Sequence, residues 1–308
     1  MRPSGIITAM VTPFDQEQKI DIQATRNLVN RLILSKVAGL FILGTNGEFH
    51  VLSREEKVEF ASLVINETNK RVPIFVGTGG NSTAEVISLS KEMEKLGADA
   101  LSVITPYFLS LTEDELYHHY KKIAESVSIP ILLYNIPKNT GIHLSPPLVA
   151  RLAKVDNIVG IKDSSGDIEN IKNYISVTKE EAFSVLSGSD SLILKALDEG
   201  ATGAIAATAN LLTYIDVSIY KHWQKGERQE AEEAQQSLEE LRRVLKLGST
   251  PSILKKAMEL AQIPVGPARY PVLEPKSEVI EEINSVIAAY LQKYHQLSYE
   301  GAAIHVQK

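Results

Sequence analysis

Lys162 closes the apolar run Asn157-Ile158-Val159-Gly160-Ile161, whereas most other lysines of this chain fall where helix faces or loops are expected. In phase with Gly160, its amine projects toward an apolar interior rather than water. Burial disfavours the charged form of an amine, and an uncharged amine attacks carbonyls to form an imine. The competing reading is a structural ion pair with Asp163 or Glu48. Tyr134, near the end of the run Ile129–Asn135, favours the first reading. A phenol beside an amine can pass the protons that carbinolamine formation and dehydration require, while a carboxylate would hold the lysine charged. Gly44-Thr45-Asn46-Gly47-Glu48 adds backbone N–H groups, a hydroxyl and an amide, which together can hold a carboxylate without a second cation; an ordinary glycine turn is the alternative.

Other chemistries find no support. Gly77-Thr78-Gly79-Gly80-Asn81-Ser82 begins like a dinucleotide fingerprint, but Ser82 stands where the third glycine belongs and Asp99 precedes its strand instead of ending it. The histidines suggest no metal site. His118 and His119 are adjacent on a helix and point apart, and His50, His143, His222, His295 and His305 lack a second ligand at helical spacing. Neither a phosphate-binding loop nor a serine nucleophile elbow is present.

These candidates need elements to position them. Short β-branched runs at Gly5–Thr12, Gly39–Leu43, Ile74–Gly77, Ala100–Ile104, Ile129–Asn135, Ile158–Asp163, Phe183–Ser187 and Gly203–Ala206 alternate with amphipathic stretches such as Ile22–Ser35, Glu55–Thr68, Ser82–Leu96 and Glu113–Ser126. Ser53 with Glu56, and Thr112 with Glu115, have the spacing of capping boxes. Strands that are almost continuously apolar, joined by helices, predict a parallel sheet covered on both faces. Eight such units within about 225 residues predict an α/β fold, a closed (β/α)8 TIM barrel, rather than an open doubly wound sheet. Residues 1–225 are expected to form the barrel and 226–308 a C-terminal helical region. In the latter, Gly226–Lys246 reads as one amphipathic helix, the proline-rich Pro264–Pro275 as a rigid loop, Glu278–Gln292 as a last helix, and Leu297–Lys308 as a loosely held tail.

Composition narrows the function classes. The 308 residues carry 32 Lys plus Arg against 38 Asp plus Glu, a net charge of −6, and are 44% hydrophobic and 23% charged, as in ordinary globular proteins. An acidic balance argues against a nucleic-acid partner. The longest apolar stretches, such as Ile6–Val11, are too short for a membrane span or an export signal. With no cysteine in the chain, a cytoplasmic setting is expected.

The strand-end motifs Gly44-Thr45-Asn46-Gly47-Glu48, Tyr134-Asn135-Ile136-Pro137, Gly160-Ile161-Lys162-Asp163-Ser164 and Gly203-Ala204-Ile205, followed by Gly266-Pro267-Ala268-Arg269-Tyr270-Pro271, resemble the N-acetylneuraminate lyase and dihydrodipicolinate synthase superfamily. The resemblance implies a barrel with a C-terminal α-helical extension, assembled as a homotetramer or homodimer. It also implies a Schiff base between Lys162 and a 2-oxo acid, commonly pyruvate, with no other cofactor. By the same resemblance Tyr134 shuttles protons, Thr45 and Asn46 bind the carboxylate, and the backbone at Ile205 positions the pyruvyl group. Gly188 and Asn139 complete the expected substrate-binding set.

Two departures bear on the acceptor. Synthases of this superfamily carry an arginine just before the Thr-Gly that follows the catalytic tyrosine, and here Asn139 stands there. Phe108 takes the place of a second relay tyrosine, and its neighbour Tyr107 is expected to point elsewhere. The resulting expectation is a class I aldolase acting on a 2-keto-3-deoxy sugar acid or 4-hydroxy-2-oxoglutarate. The alternatives are a 4-hydroxy-tetrahydrodipicolinate synthase condensing pyruvate with aspartate semialdehyde, a sialic acid lyase, and a non-catalytic barrel that binds 2-oxo acids.

Overall fold

The computed structural model describes residues 2–294. Eight parallel strands, β1 (Gly5–Ala9), β2 (Gly39–Ile42), β3 (Ile74–Gly77), β4 (Ala100–Ile104), β5 (Ile131–Asn135), β6 (Ile158–Asp163), β7 (Ser184–Ser187) and β8 (Gly203–Ala206), pair in chain order, and β8 returns to β1 to close a barrel. This is the (β/α)8 TIM barrel that the alternation of elements predicts. Four strands are shorter than expected: β2 and β7 lose one residue each, at Leu43 and Phe183, and β5 and β1 are cut for physical reasons. Pro130 has no N–H to give a ladder, so β5 begins at Ile131. Beyond Ala9 the backbone leaves the sheet: Val11 N donates to Asn210 Oδ1 at 3.1 Å.

Side chains alternate across the strands and build two apolar layers. Ile7, Phe41, Phe75, Leu132, Tyr134, Leu186 and Ile205 fill the barrel. Their neighbours, such as Ile6, Leu40, Val76, Leu133 and Ile161, face outward against the helices. Both expected capping boxes form, at Ser53 with Glu56 and at Thr112 with Glu115.

The C-terminal region departs from the sequence reading. Gly226–Lys246 is two helices, Arg228–Gln236 and Glu239–Val244. The phenol of Tyr290, on the last helix Ser277–Lys293, donates to Ser237 O at 2.5 Å and accepts from Leu241 N at 3.2 Å. A hydroxyl therefore sits where the next helical hydrogen bond would form, a recognised cause of a helix break. Before the last helix come a helix at Thr250–Leu260 and the Pro264–Pro275 segment, which is free of regular structure. The tail at Leu297–Lys308 lies outside the described residues. Among the described residues no helix is long and apolar enough to cross a membrane.

Candidate active site

The strand register places the Lys162 amine and the Tyr134 phenol side by side. Tyr134 on β5 is the direct partner of Lys162 on β6, with Asn135 opposite Asp163 one residue on. Both side chains point into the barrel at its C-terminal end and are buried, Lys162 at 4% exposure and Tyr134 at 3%. The Lys162 ammonium lies 4.2 Å from the Tyr134 ring centre and 4.8 Å from that of Phe41, whose ring meets Tyr134 edge-on. Phe41 was not singled out by sequence; as an aromatic at an inward position of a strand it carries no signal beyond core packing.

The two carboxylates that could have neutralised Lys162 are committed elsewhere. Glu48 Oε1 is 2.6 Å from Lys255 Nζ. Asp163 faces away from the barrel interior and accepts from Asn135 Nδ2 at 2.7 Å, Asn170 Nδ2 at 3.0 Å and Ser165 Oγ at 2.6 Å. Burial pushes the Asp163 carboxyl above its ordinary range, while these donors pull the other way. The Asn135–Asp163 bond also ties β5 to β6 next to the reactive pair, which fixes the spacing of Tyr134 and Lys162. The structural ion pair for Lys162 is therefore not formed, and the amine faces aromatic rings.

Thr45 completes the cluster. Its hydroxyl lies 3.2 Å from the Tyr134 hydroxyl, a hydrogen bond in which either oxygen can donate. Asn46 follows it in the same turn and is half-buried. Ile205 is buried in the inner layer with Tyr134. Gly188, where β7 ends, passes close over the lysine. A Cβ built there would lie 2.9 Å from Lys162 Cε and 2.1 Å from Ser164 Oγ, so any side chain at this position would have to push both aside. Asn139 is exposed and lines, with Thr45, Phe49, His50, Ile104, Tyr107 and Thr140, a cavity of about 280 Å³ at the mouth.

Tyr107 corrects an expectation: it lines this cavity rather than pointing elsewhere. Strand alternation stops at Ile104, and Phe108 takes a left-handed turn, φ +83°, that leaves Phe108 itself 91% exposed. Asp190 was also unassigned. Its carboxylate accepts from the backbone N–H of Ala207 at 3.0 Å and of Thr208 at 3.1 Å, pinning the chain just after Ile205. Thr208 Oγ1 in turn donates to Asp216 at 2.8 Å, and burial together with the Asp190 charge pushes the Asp216 carboxyl well up. The only hint of this in sequence is the place of Asp190 at a strand exit. Among the described residues no group of three His, Asp or Glu side chains is placed to hold a metal ion.

A closed parallel barrel with a buried amine, a phenol and a hydroxyl converging at the strands' C-terminal ends defines a class: barrel lyases acting on carbonyl compounds. Comparison with known proteins places the chain within that class. The model of the dihydrodipicolinate synthetase family matches residues 2–290, and the chain belongs to this family and is a carbon–carbon lyase. It is 36% identical over 285 residues to the 4-hydroxy-tetrahydrodipicolinate synthase of Oceanobacillus iheyensis, covering 92% of this chain and 96% of that one. It is 38% identical over 283 residues to that of Archaeoglobus fulgidus, again covering 92% and 96%. Among solved structures it is similar to dihydrodipicolinate synthase DapA-2 from Bacillus anthracis, with a TM-score of 0.91, 34% identity and coverage of 94% and 99%. It is also similar to YagE from Escherichia coli K12, a prophage protein of the dihydrodipicolinic acid synthase family in complex with pyruvate, with a TM-score of 0.90, 32% identity and coverage of 94% and 98%.

Proposed function

We infer that Lys162 forms a Schiff base with pyruvate and that the enamine derived from it condenses with aspartate semialdehyde, as in a 4-hydroxy-tetrahydrodipicolinate synthase. The observation that carries the Schiff-base step is the Lys162 amine, buried without a carboxylate partner and packed against the phenol that Thr45 meets at 3.2 Å. The amine adds to C2 of pyruvate, Tyr134 and Thr45 pass protons to and from the departing oxygen, and water leaves. The protonated imine is then an electron sink: loss of a C3 proton gives an enamine whose C3 attacks the acceptor aldehyde. The pyruvate complex of YagE and the names of the synthase relatives support the donor and the direction. The apolar Phe108 and Leu109, 91% and 66% exposed, fit an assembly of several copies, a homotetramer or homodimer.

A second reading keeps the donor and changes the partner. Asn139 puts a neutral amide on the cavity rim where a synthase would offer a bidentate cation, and this favours cleavage of a 2-keto-3-deoxy acid or 4-hydroxy-2-oxoglutarate. The comparisons favour the synthase over this aldolase reading. The test is direct. Borohydride with pyruvate should leave a reduced pyruvyl adduct on Lys162, and an unlabelled lysine would defeat both readings. Consumption of aspartate semialdehyde would support the synthase. Pyruvate release from 2-keto-3-deoxy acids without that consumption, with a gain for semialdehyde in Asn139→Arg, would replace it by the aldolase.

A further inference from the structure

The turn that carries Thr45 is not held by the barrel alone. Glu48, three residues on, donates its N–H to Thr45 O at 3.1 Å to close the turn, and Thr12 Oγ1 donates to Gly47 O at 2.7 Å. Glu48 adopts the left-handed conformation, φ +55°, which is sparsely populated for a residue with a side chain and persists where the surroundings enforce it. The enforcement comes from the C-terminal region. Glu48 Oε1 lies 2.6 Å from Lys255 Nζ, on the helix Thr250–Leu260, and Glu48 Oε2 accepts from Arg269 N at 2.8 Å. Lys255 also donates to Pro267 O at 3.0 Å. The Phe14 ring packs against both cations, 4.1 Å from Lys255 Nζ and 4.3 Å from the Arg269 guanidinium. The Arg269 side chain donates to Glu56, Val51 O and Gln18 O. At Gly266 a Cβ would overlap Phe14 O at 1.7 Å, so the segment lies in close contact with the chain that follows β1.

Lys255 and Glu48 are each only 1% exposed. Two charges taken out of water are a poor route to stability, since an apolar pair of similar volume serves as well or better; what a buried pair supplies is a fixed geometry. The geometry fixed here leads without a break from the helix Thr250–Leu260 through Glu48 and the Thr45 turn to the Tyr134 hydroxyl beside Lys162.

We propose that Lys255 and Glu48 are positioning residues for the chemistry at Lys162: through them the C-terminal region holds the Thr45–Glu48 turn where Thr45 meets Tyr134 and the turn can receive the substrate carboxylate. This rests on the Schiff-base reading for its catalytic consequence, whereas the mechanical link stands by itself. The experiment pairs Glu48→Gln with Lys255→Met, which removes both charges at nearly constant shape. Amide hydrogen exchange is followed over residues 44–49 and over the barrel strands, and the pyruvate concentration that half-saturates borohydride labelling is measured.

In the double variant, exchange in the turn should quicken by about tenfold or more while the strands are unchanged. Half-saturating pyruvate should rise by about tenfold or more, with labelling of Lys162 still complete at saturation. A lower melting temperature with native exchange in the turn, or with native half-saturation, would overturn the proposal. If native protein is not labelled by pyruvate, the Schiff-base reading fails, and exchange in the turn still decides the link. Should the double variant not fold, Glu48→Gln alone gives the same comparison, because it keeps an oxygen for Arg269 N and leaves Lys255 able to shed its proton.

Discussion

Among the described residues two lysines are buried, and they live in opposite company. Lys255 sits 2.6 Å from Glu48, with a backbone carbonyl and an aromatic face to complete its surroundings. Lys162 has aromatic rings and a phenol at similar depth and no carboxylate against it. Only Lys255 has a carboxylate within ion-pair distance. The contrast separates a lysine that holds structure from one available to react, a distinction that depth alone does not make.

The comparison can be broken in four places. Lys162→Ala should abolish pyruvate labelling and lower turnover by roughly 10⁴-fold or more while leaving the melting temperature near native, since no ion pair is lost; retained turnover would end the catalytic role. Lys255→Met should do the reverse, stranding Glu48 and costing about 3–5 kcal/mol in denaturant unfolding. A cost below about 1 kcal/mol would show the pair to be as weak as a surface bridge.

The third test uses pH. Burial, opposed by Glu48, lowers the Lys255 ammonium from 10.5 to about 8. A depressed lysine contributes most above its unfolded value and loses that contribution as pH falls through its folded value. Native protein should therefore gain about 3 kcal/mol on the uncharged Glu48→Gln, Lys255→Met variant between pH 8 and pH 10.5, and unfolding curves that stay parallel would contradict it. The smallest effect is expected from Tyr134→Phe, about 100-fold in turnover, with Lys162 still slowly labelled; a native pH–rate profile in that variant would remove the phenol from proton transfer.

What sequence could and could not show follows the range of each signal. The eight strands and the capping boxes at Ser53 and Thr112 rest on patterns a few residues long, and the structure contains them with small changes at the ends. Lys162 and Tyr134 stood out because each is a reactive residue at a strand exit, and the parallel register brings such exits together. Lys255, Arg269 and Phe14 were illegible: Arg269 meets Glu48 across 221 residues of chain, and nothing local to Glu48 names its partner. The break at Ser237 is hidden for the same reason, since it depends on the hydroxyl of Tyr290 53 residues away. Tyr107 was misread because alternation was carried past the end of β4, where the backbone no longer alternates.

The bare backbone at Gly188 limits how this pocket can be altered. With Lys162 Cε and Ser164 Oγ already in the way, no bulk can be introduced from β7 without displacing those two side chains. Room for change lies on the rim of the cavity, at Asn139, His50 and Tyr107. New preferences, in the laboratory or in evolution, would therefore be written on that side, while the half of the mouth beside Lys162 stays as it is.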